Sequence, residues 1–254
     1  MANHSIPTST LEPAVELPSH KESHTSHSPL LRDFIIGFAD GLTVPFALTA
    51  GLSSLGNPHL VILAGLAELF AGSISMGLGA YLATMTETKH YAVEEARERK
   101  EVTEKPGAEE EEIFEIFETY GIRRQEAQGV VDGLKRDQGA WVQFMMDFEL
   151  RLEKPDKRGA WLAGLVMAVA YFFGGLLPMI PYFAFHNVNH ALFTSIGITV
   201  LILLVFGYVK AILTGCRRWD SVVSALQTLV VGVVAAGVSY GIVRAVNGSV
   251  HVAA

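Results

Sequence analysis

The sequence has one cysteine, Cys216, in 254 residues. That excludes an intramolecular disulfide framework and any cysteine-cluster zinc site. Positive charge is also short: 19 basic residues stand against 26 acidic ones, for a formal net charge of −7. Such a balance argues against nucleic acid as the main partner and suits cationic ligands. No Gly-rich phosphate loop is present, so nothing points to nucleotide-driven chemistry. Residues 1–29 lack the apolar core of a secretory signal peptide and are rich in Ser, Thr, Pro and His. They are expected to be a disordered tail. Four histidines (His4, His20, His24 and His27) lie there and are read as solvated rather than metal-binding.

Charge is nearly absent from long stretches. Residues 34–84 carry only Asp40 and Glu68, residues 159–213 only Lys210, and residues 221–254 only Arg244. Residues 87–158 hold 19 of the 26 acids and 13 of the 19 bases. Half of the chain is hydrophobic and the mean hydropathy is +0.34. A bilayer-spanning helix needs ~20 mostly apolar residues. Five stretches meet this, at 34–55, 60–85, 160–183, 191–213 and 222–246. The fold class expected is all-α. A five-span transmembrane bundle (30–86 and 159–254) would carry a small helical domain, 87–158, inserted between spans two and three. Gly65, Gly72 and Gly79 repeat every seven residues and predict a close helix contact on span two. Gly232 and Ala236 hint at the same on span five.

Lys and Arg near the span ends fall on one side: Arg32, the charged block, and Lys210, Arg217 and Arg218. The positive-inside rule then places the N-terminus and residues 87–158 in the cytosol and the C-terminus on the far side. Arg244 alone runs against this. Within the block, helices are expected over 87–104, 109–119, 123–135 and 140–152. Trp141, Phe144, Phe148 and Leu152 would form the packing face of the last.

Asp40 and Glu68 are the residues a membrane tolerates least, at roughly 2.5–3.5 kcal/mol each near a helix centre. Such acids read by default as an ion or proton site, ahead of a structural hydrogen bond. Pro45 deprives the Gly41 carbonyl of its helical donor, so that oxygen could line a polar cavity. Met76 lies eight residues beyond Glu68, ~12 Å along the helix. One ion cannot touch both, although successive stations on a path are possible.

In the charged block, Glu98 and Glu101, and Glu109 and Glu112, are three apart. Met145 and Met146 precede Glu149 by four and three. Each set shares a helix face, and short helices offering carboxylates inward build metal sites in bundles. Thioether beside carboxylate suits a borderline or soft divalent ion better than Mg²⁺ or Ca²⁺. The run Glu109–Glu112 points all round its helix, which leaves its inward pair open by one residue. Glu87 and His90 have Glu-x-x-His spacing, motivating a competing reading as a membrane-anchored carboxylate enzyme that oxidises or stores iron. A complete di-iron site wants two such helices, and one is found.

Three segments resemble a known family. They are DGLTVPFALTAGL (40–52), AELFAGSISMGLGAYL (67–82) and FMMDFELRLEKP (144–155). They look like the vacuolar iron transporters, the plant members above all, and the resemblance covers about residues 30–250. It implies a homodimer of five-span protomers in the vacuolar membrane that loads the vacuole with ferrous iron in exchange for protons. It implies no enzyme activity and no catalytic cofactor, since Fe²⁺ is cargo. Asp40, Glu68 and Met76 match the family's transport path. Glu98, Glu101, Glu109, Glu112, Met145, Met146 and Glu149 match its cytosolic metal-binding domain, which takes divalent transition metals. Mn²⁺ is a second candidate cargo that the residues do not separate from Fe²⁺.

Overall fold

The computed structural model describes residues 29–155 and 159–253, with side chains described as far as residue 249. The reading of the N-terminal tail and its four histidines lies outside the described residues. Among the described residues every regular element is helical. Five helices of the described residues are long and apolar enough to cross a membrane, as the hydropathy pattern requires.

The first, α1, is Pro29–Ser53, and the second, α2, is Pro58–Glu104. Their link is short because Gly56 takes a left-handed φ of 70° and Asn57 caps α2, accepting from the Leu60 N–H at 3.2 Å. Pro58 follows in the first turn, where its missing N–H costs nothing. At 1.5 Å per residue, the 47 residues of α2 reach ~70 Å, twice the ~30 Å of a bilayer core. One unbroken helix therefore carries the chain out of the apolar layer and into the charged block. The next three helices are α3 (Pro106–Thr119), α4 (Arg124–Leu134) and α5 (Gln138–Phe144), the last continuing as a π-helical turn over Met145–Glu149. The remaining spans are α6 (Gly159–Ala184), α7 (Val188–Leu213) and α8 (Arg218–Ala253). The boundary of α8 passes both expected ends of span five because no Pro follows Arg218 to break it.

The helix α6 is the hub of the membrane bundle, packing along both α1 and α2. Small residues make this possible. A β-carbon at Gly37 would lie 2.6 Å from the Met167 carbonyl, and one at Gly174 would lie 2.8 Å from the Phe38 carbonyl. The predicted glycine seam on α2 is correct at Gly65, which faces Met179, and at Gly72, which faces Tyr171. It is wrong at Gly79, which faces open space; Gly77 meets Gly164 and Ala168 instead. A strict seven-residue repeat drifts ~20° per heptad on a straight helix, and by the third repeat the contact has moved. Gly232 lies against Leu203 and joins α8 to α7, as expected. The Gly41 carbonyl faces Gly175 of α6, so it lies in a helix contact rather than along a cavity. Outward faces stay apolar and exposed, among them Phe70, Ile74 and Leu78 on α2 and Val230, Val234 and Val238 on α8. In a bilayer this is the surface lipid covers.

The helices between α2 and α6 share their own core. Val102, Ile113, Ala127, Val131, Trp141, Met145 and Met146 are all buried together. The expected packing face of the last helix needs correction: Phe148 is 51% exposed, whereas both methionines are fully buried. The π turn is the cause. Leu150 N–H bonds back five residues to the Met145 carbonyl at 3.1 Å, which shifts the phase of Phe148, while Met145 and Met146 keep the four-residue spacing from buried Trp141 and Val142.

Candidate functional site

Two constellations of carboxylates emerge, one in the apolar bundle and one in the inter-span helices. In the bundle, Asp40 and Glu68 are both half-buried. Tyr171 of α6 stands between their helices. Its backbone presses against Gly41, the neighbour of Asp40, and its ring lies over Gly72, one turn from Glu68. A β-carbon at Gly72 would lie 2.5 Å from the Tyr171 oxygen, so a larger residue would push the ring away. The Tyr171 hydroxyl donates to Oε1 of Glu68. The other carboxylate oxygen, Oε2, is buried without a partner among the described residues. Met76 is half-buried farther along α2, beside Gly77, and is not brought to Glu68. Tyr171 went unnoticed in the sequence, although a hydroxyl in an otherwise apolar span, three residues before Gly174-Gly175, was a usable signal.

The second constellation forms because α2 outlasts the membrane. Glu98 and Glu101 lie on its last turns, Glu109 and Glu112 on the first turns of α3, and Glu149 at the end of the π turn. Pro106 folds α3 back against α2 after Lys105, bringing the acidic faces together. Oxygens of Glu98, Glu101 and Glu109 lie within 4.8 Å of one another, and so do those of Glu109, Glu112 and Glu149. Glu109 therefore belongs to both trios. Glu98 and Glu109 are 1% and 3% exposed, and one oxygen of each of Glu98, Glu109 and Glu149 is buried without a hydrogen-bond donor among the described residues. Buried carboxylate oxygens without donors are costly unless a cation joins them. Met145 and Met146 pack in the adjoining core.

The open register of the Glu109–Glu112 run has a structural answer. Glu110 pairs with Lys135 and Glu111 with Arg124, both turned away from the trios. Glu109 and Glu112 face inward. Arg97 was also missed in the sequence; it lies 3.1 Å from Glu94 and 3.5 Å from Glu101, a built-in counter-charge at the edge of the first trio. Glu87 and His90 join neither trio; His90 is exposed and 3.9 Å from Glu94.

Crowding sets the electrostatics. Burial first, then the charges of Glu112, Glu98, Glu101 and Glu149, pushes the Glu109 carboxyl up to about 7. Burial and the charges of Glu98 and Glu112 push Glu149 up to about 7, against the pull of Arg97. Glu112 is also raised, mainly by burial. Glu111 goes the other way, held low by its hydrogen bond from Arg124. Glu109 and Glu149 thus hold protons near neutral pH that a cation can displace.

Five apolar crossings joined by short links, with a charged helical insert, define a multi-pass helical membrane protein. Residues 31–244 match the VIT family, and the chain belongs to it. It is 47% identical over 229 residues to Vacuolar iron transporter 1 of Oryza sativa subsp. japonica, covering 90% of each chain. It is 42% identical to Vacuolar iron transporter 1 of Arabidopsis thaliana, covering 91% of this chain and 92% of that one. Similarity extends to Protein CCC1 of Saccharomyces cerevisiae, at 37% identity over 85% of this chain and 68% of the yeast protein. The two plant relatives are named as transporters, and the family is not one of enzymes.

Proposed function

We propose that the protein is a secondary transporter that moves ferrous iron from the cytosol into the vacuole in exchange for protons. The observation that carries this reading is the pair Asp40 and Glu68 inside apolar crossings, with one Glu68 oxygen held by Tyr171 and the other left without a donor. Metal binds carboxylates only in their deprotonated form. Near neutral pH the pair takes Fe²⁺; facing an acidic compartment it takes protons and releases the ion. Met76 is a further station along α2. Its thioether suits ferrous iron, and Mn²⁺ is the second cargo the same ligands accept.

The two Glu trios, with Met145 and Met146 beside them, form a capture site for divalent transition metals at the cytosolic face. The basic ends of the spans support placing the N-terminus and residues 87–158 in the cytosol and the C-terminus in the lumen. The working unit is a homodimer, as in the family resemblance, with no nucleic-acid partner. The test is iron uptake into vesicles with an acidic lumen. Asp40→Ala should abolish pH-driven uptake; undiminished uptake would end the reading.

A further inference from the structure

A cavity of about 650 Å³ lies where three helices pass from apolar to charged sequence. It is bounded by the start of α1, the stretch of α2 just past Tyr81, residues 151–155 and the start of α6. We propose that it binds the head group of a membrane phospholipid carrying both a phosphate and a primary amine.

Four observations carry this. The first is depth. Trp161, 76% exposed, lies 4.9 Å from Tyr81 in a tilted ring pair. Exposed amphipathic rings at span ends mark the head-group layer. The cavity begins beside them, at Thr84 on α2 and at Gly159 and Leu162 on α6. The second is charge. Arg32, Arg151 and Lys154 line it together with Asp33, Glu87 and Glu153. A basic pocket between spans suits a phosphate. The carboxylates count against a purely anionic head group and suit an ammonium. The third is Tyr91, which lines the cavity at 5% exposure with no partner for its hydroxyl among the described residues. Buried hydroxyls are normally paired, and a phosphate oxygen would accept this one. The fourth is the apolar edge. Leu30 and Leu162 line the same space, and Leu162 is 45% exposed, open to the acyl chains that a cavity of this size cannot hold.

A primary ammonium donates hydrogen bonds to Glu87 and Glu153, while a quaternary one has no N–H to give. Phosphatidylethanolamine therefore fits better than phosphatidylcholine or phosphatidylglycerol. Lipid retention by the purified full chain, delipidated and then offered the three lipids in equal amounts, tests this by native mass spectrometry. Phosphatidylethanolamine should be retained several-fold over the other two. The double variant Arg151→Ala/Lys154→Ala should lose lipid binding. Glu87→Gln should keep phosphate binding but lose the preference for the amine, and Tyr91→Phe should weaken retention with an unchanged circular dichroism spectrum. Equal retention of all three lipids, or a preference indifferent to these variants, would overturn the proposal. So would preference for phosphatidylglycerol, because the carboxylates would then play no part. Full displacement by soluble glycerophosphoethanolamine at the same concentration would assign the site to a free phosphodiester instead of a membrane lipid.

Discussion

The two carboxylate constellations solve opposite problems with the same side chain. In the membrane bundle, two acids sit among apolar helices, and Tyr171 is the hydrogen-bond donor placed on Glu68. In the inter-span helices, five glutamates crowd until Glu109 and Glu149 rise to about 7. Under the proposed function, scarcity makes each membrane acid irreplaceable. Crowding makes the inter-span set redundant and tunable by pH. The two regions should therefore fail differently when a single residue is changed.

The largest effect expected is at the membrane pair. Glu68→Gln should reduce vesicular iron uptake to the level of empty vesicles, whereas Glu112→Gln should lower it only in part, mainly at low external iron. Equal losses would erase the distinction between path and capture site. Next comes Tyr171→Phe. It removes the donor on Glu68 without changing the ring, and if Glu68 binds metal as proposed, losing the hydrogen bond that orients a ligand costs about 10- to 100-fold. Transport kinetics should show this as a lower maximal rate together with a changed pH profile. A loss that left the pH profile alone would mean that the tyrosine serves packing only.

A third prediction sharpens the electrostatic contrast. Because Glu109 and Glu149 titrate higher in the folded chain than the ordinary 4.5, the folded state binds more protons than the unfolded one between about pH 4.5 and 7. Without metal, thermal stability of the inter-span helices should therefore fall as pH rises through that window. A divalent transition metal should restore it at the upper end. A melting curve whose metal-free midpoint rises over the same interval would contradict the assigned crowding. The smallest effect concerns register. Glu109→Gln should weaken metal binding in titration calorimetry clearly more than Glu111→Gln, whose side chain already pairs with Arg124. In the bundle, the matching pair is Gly77→Ala against Gly79→Ala. Only the first places a β-carbon 2.7 Å from Ala168, so only the first should lower the melting temperature.

The spans were legible because apolar runs are read by length alone, and the insert because its charges are so dense. Asp40 and Glu68 were legible as exceptions within such runs. The inward pairs Glu98/Glu101 and Glu109/Glu112 were half-legible. Their spacing put each on one face, but choosing 109 and 112 over their neighbours depends on Lys135 and Arg124, which arrive from beyond α3. Three features had no local signature. The π turn that swings Phe148 out of the packing face depends on tertiary packing. The replacement of Gly79 by Gly77 depends on how α2 and α6 cross. Asp33 is buried beside Arg32, which no local residue pattern announces. Long-range packing sets all three.

The most direct measurement records iron entry and lumenal pH together in vesicles containing the full chain, with an acidic lumen. Fe²⁺ entering should be matched by protons leaving, and both fluxes should vanish in Asp40→Asn. Iron entry that proceeds in that variant, or that leaves the lumenal pH untouched in the unaltered protein, would contradict the exchange of metal and proton on the intramembrane acids.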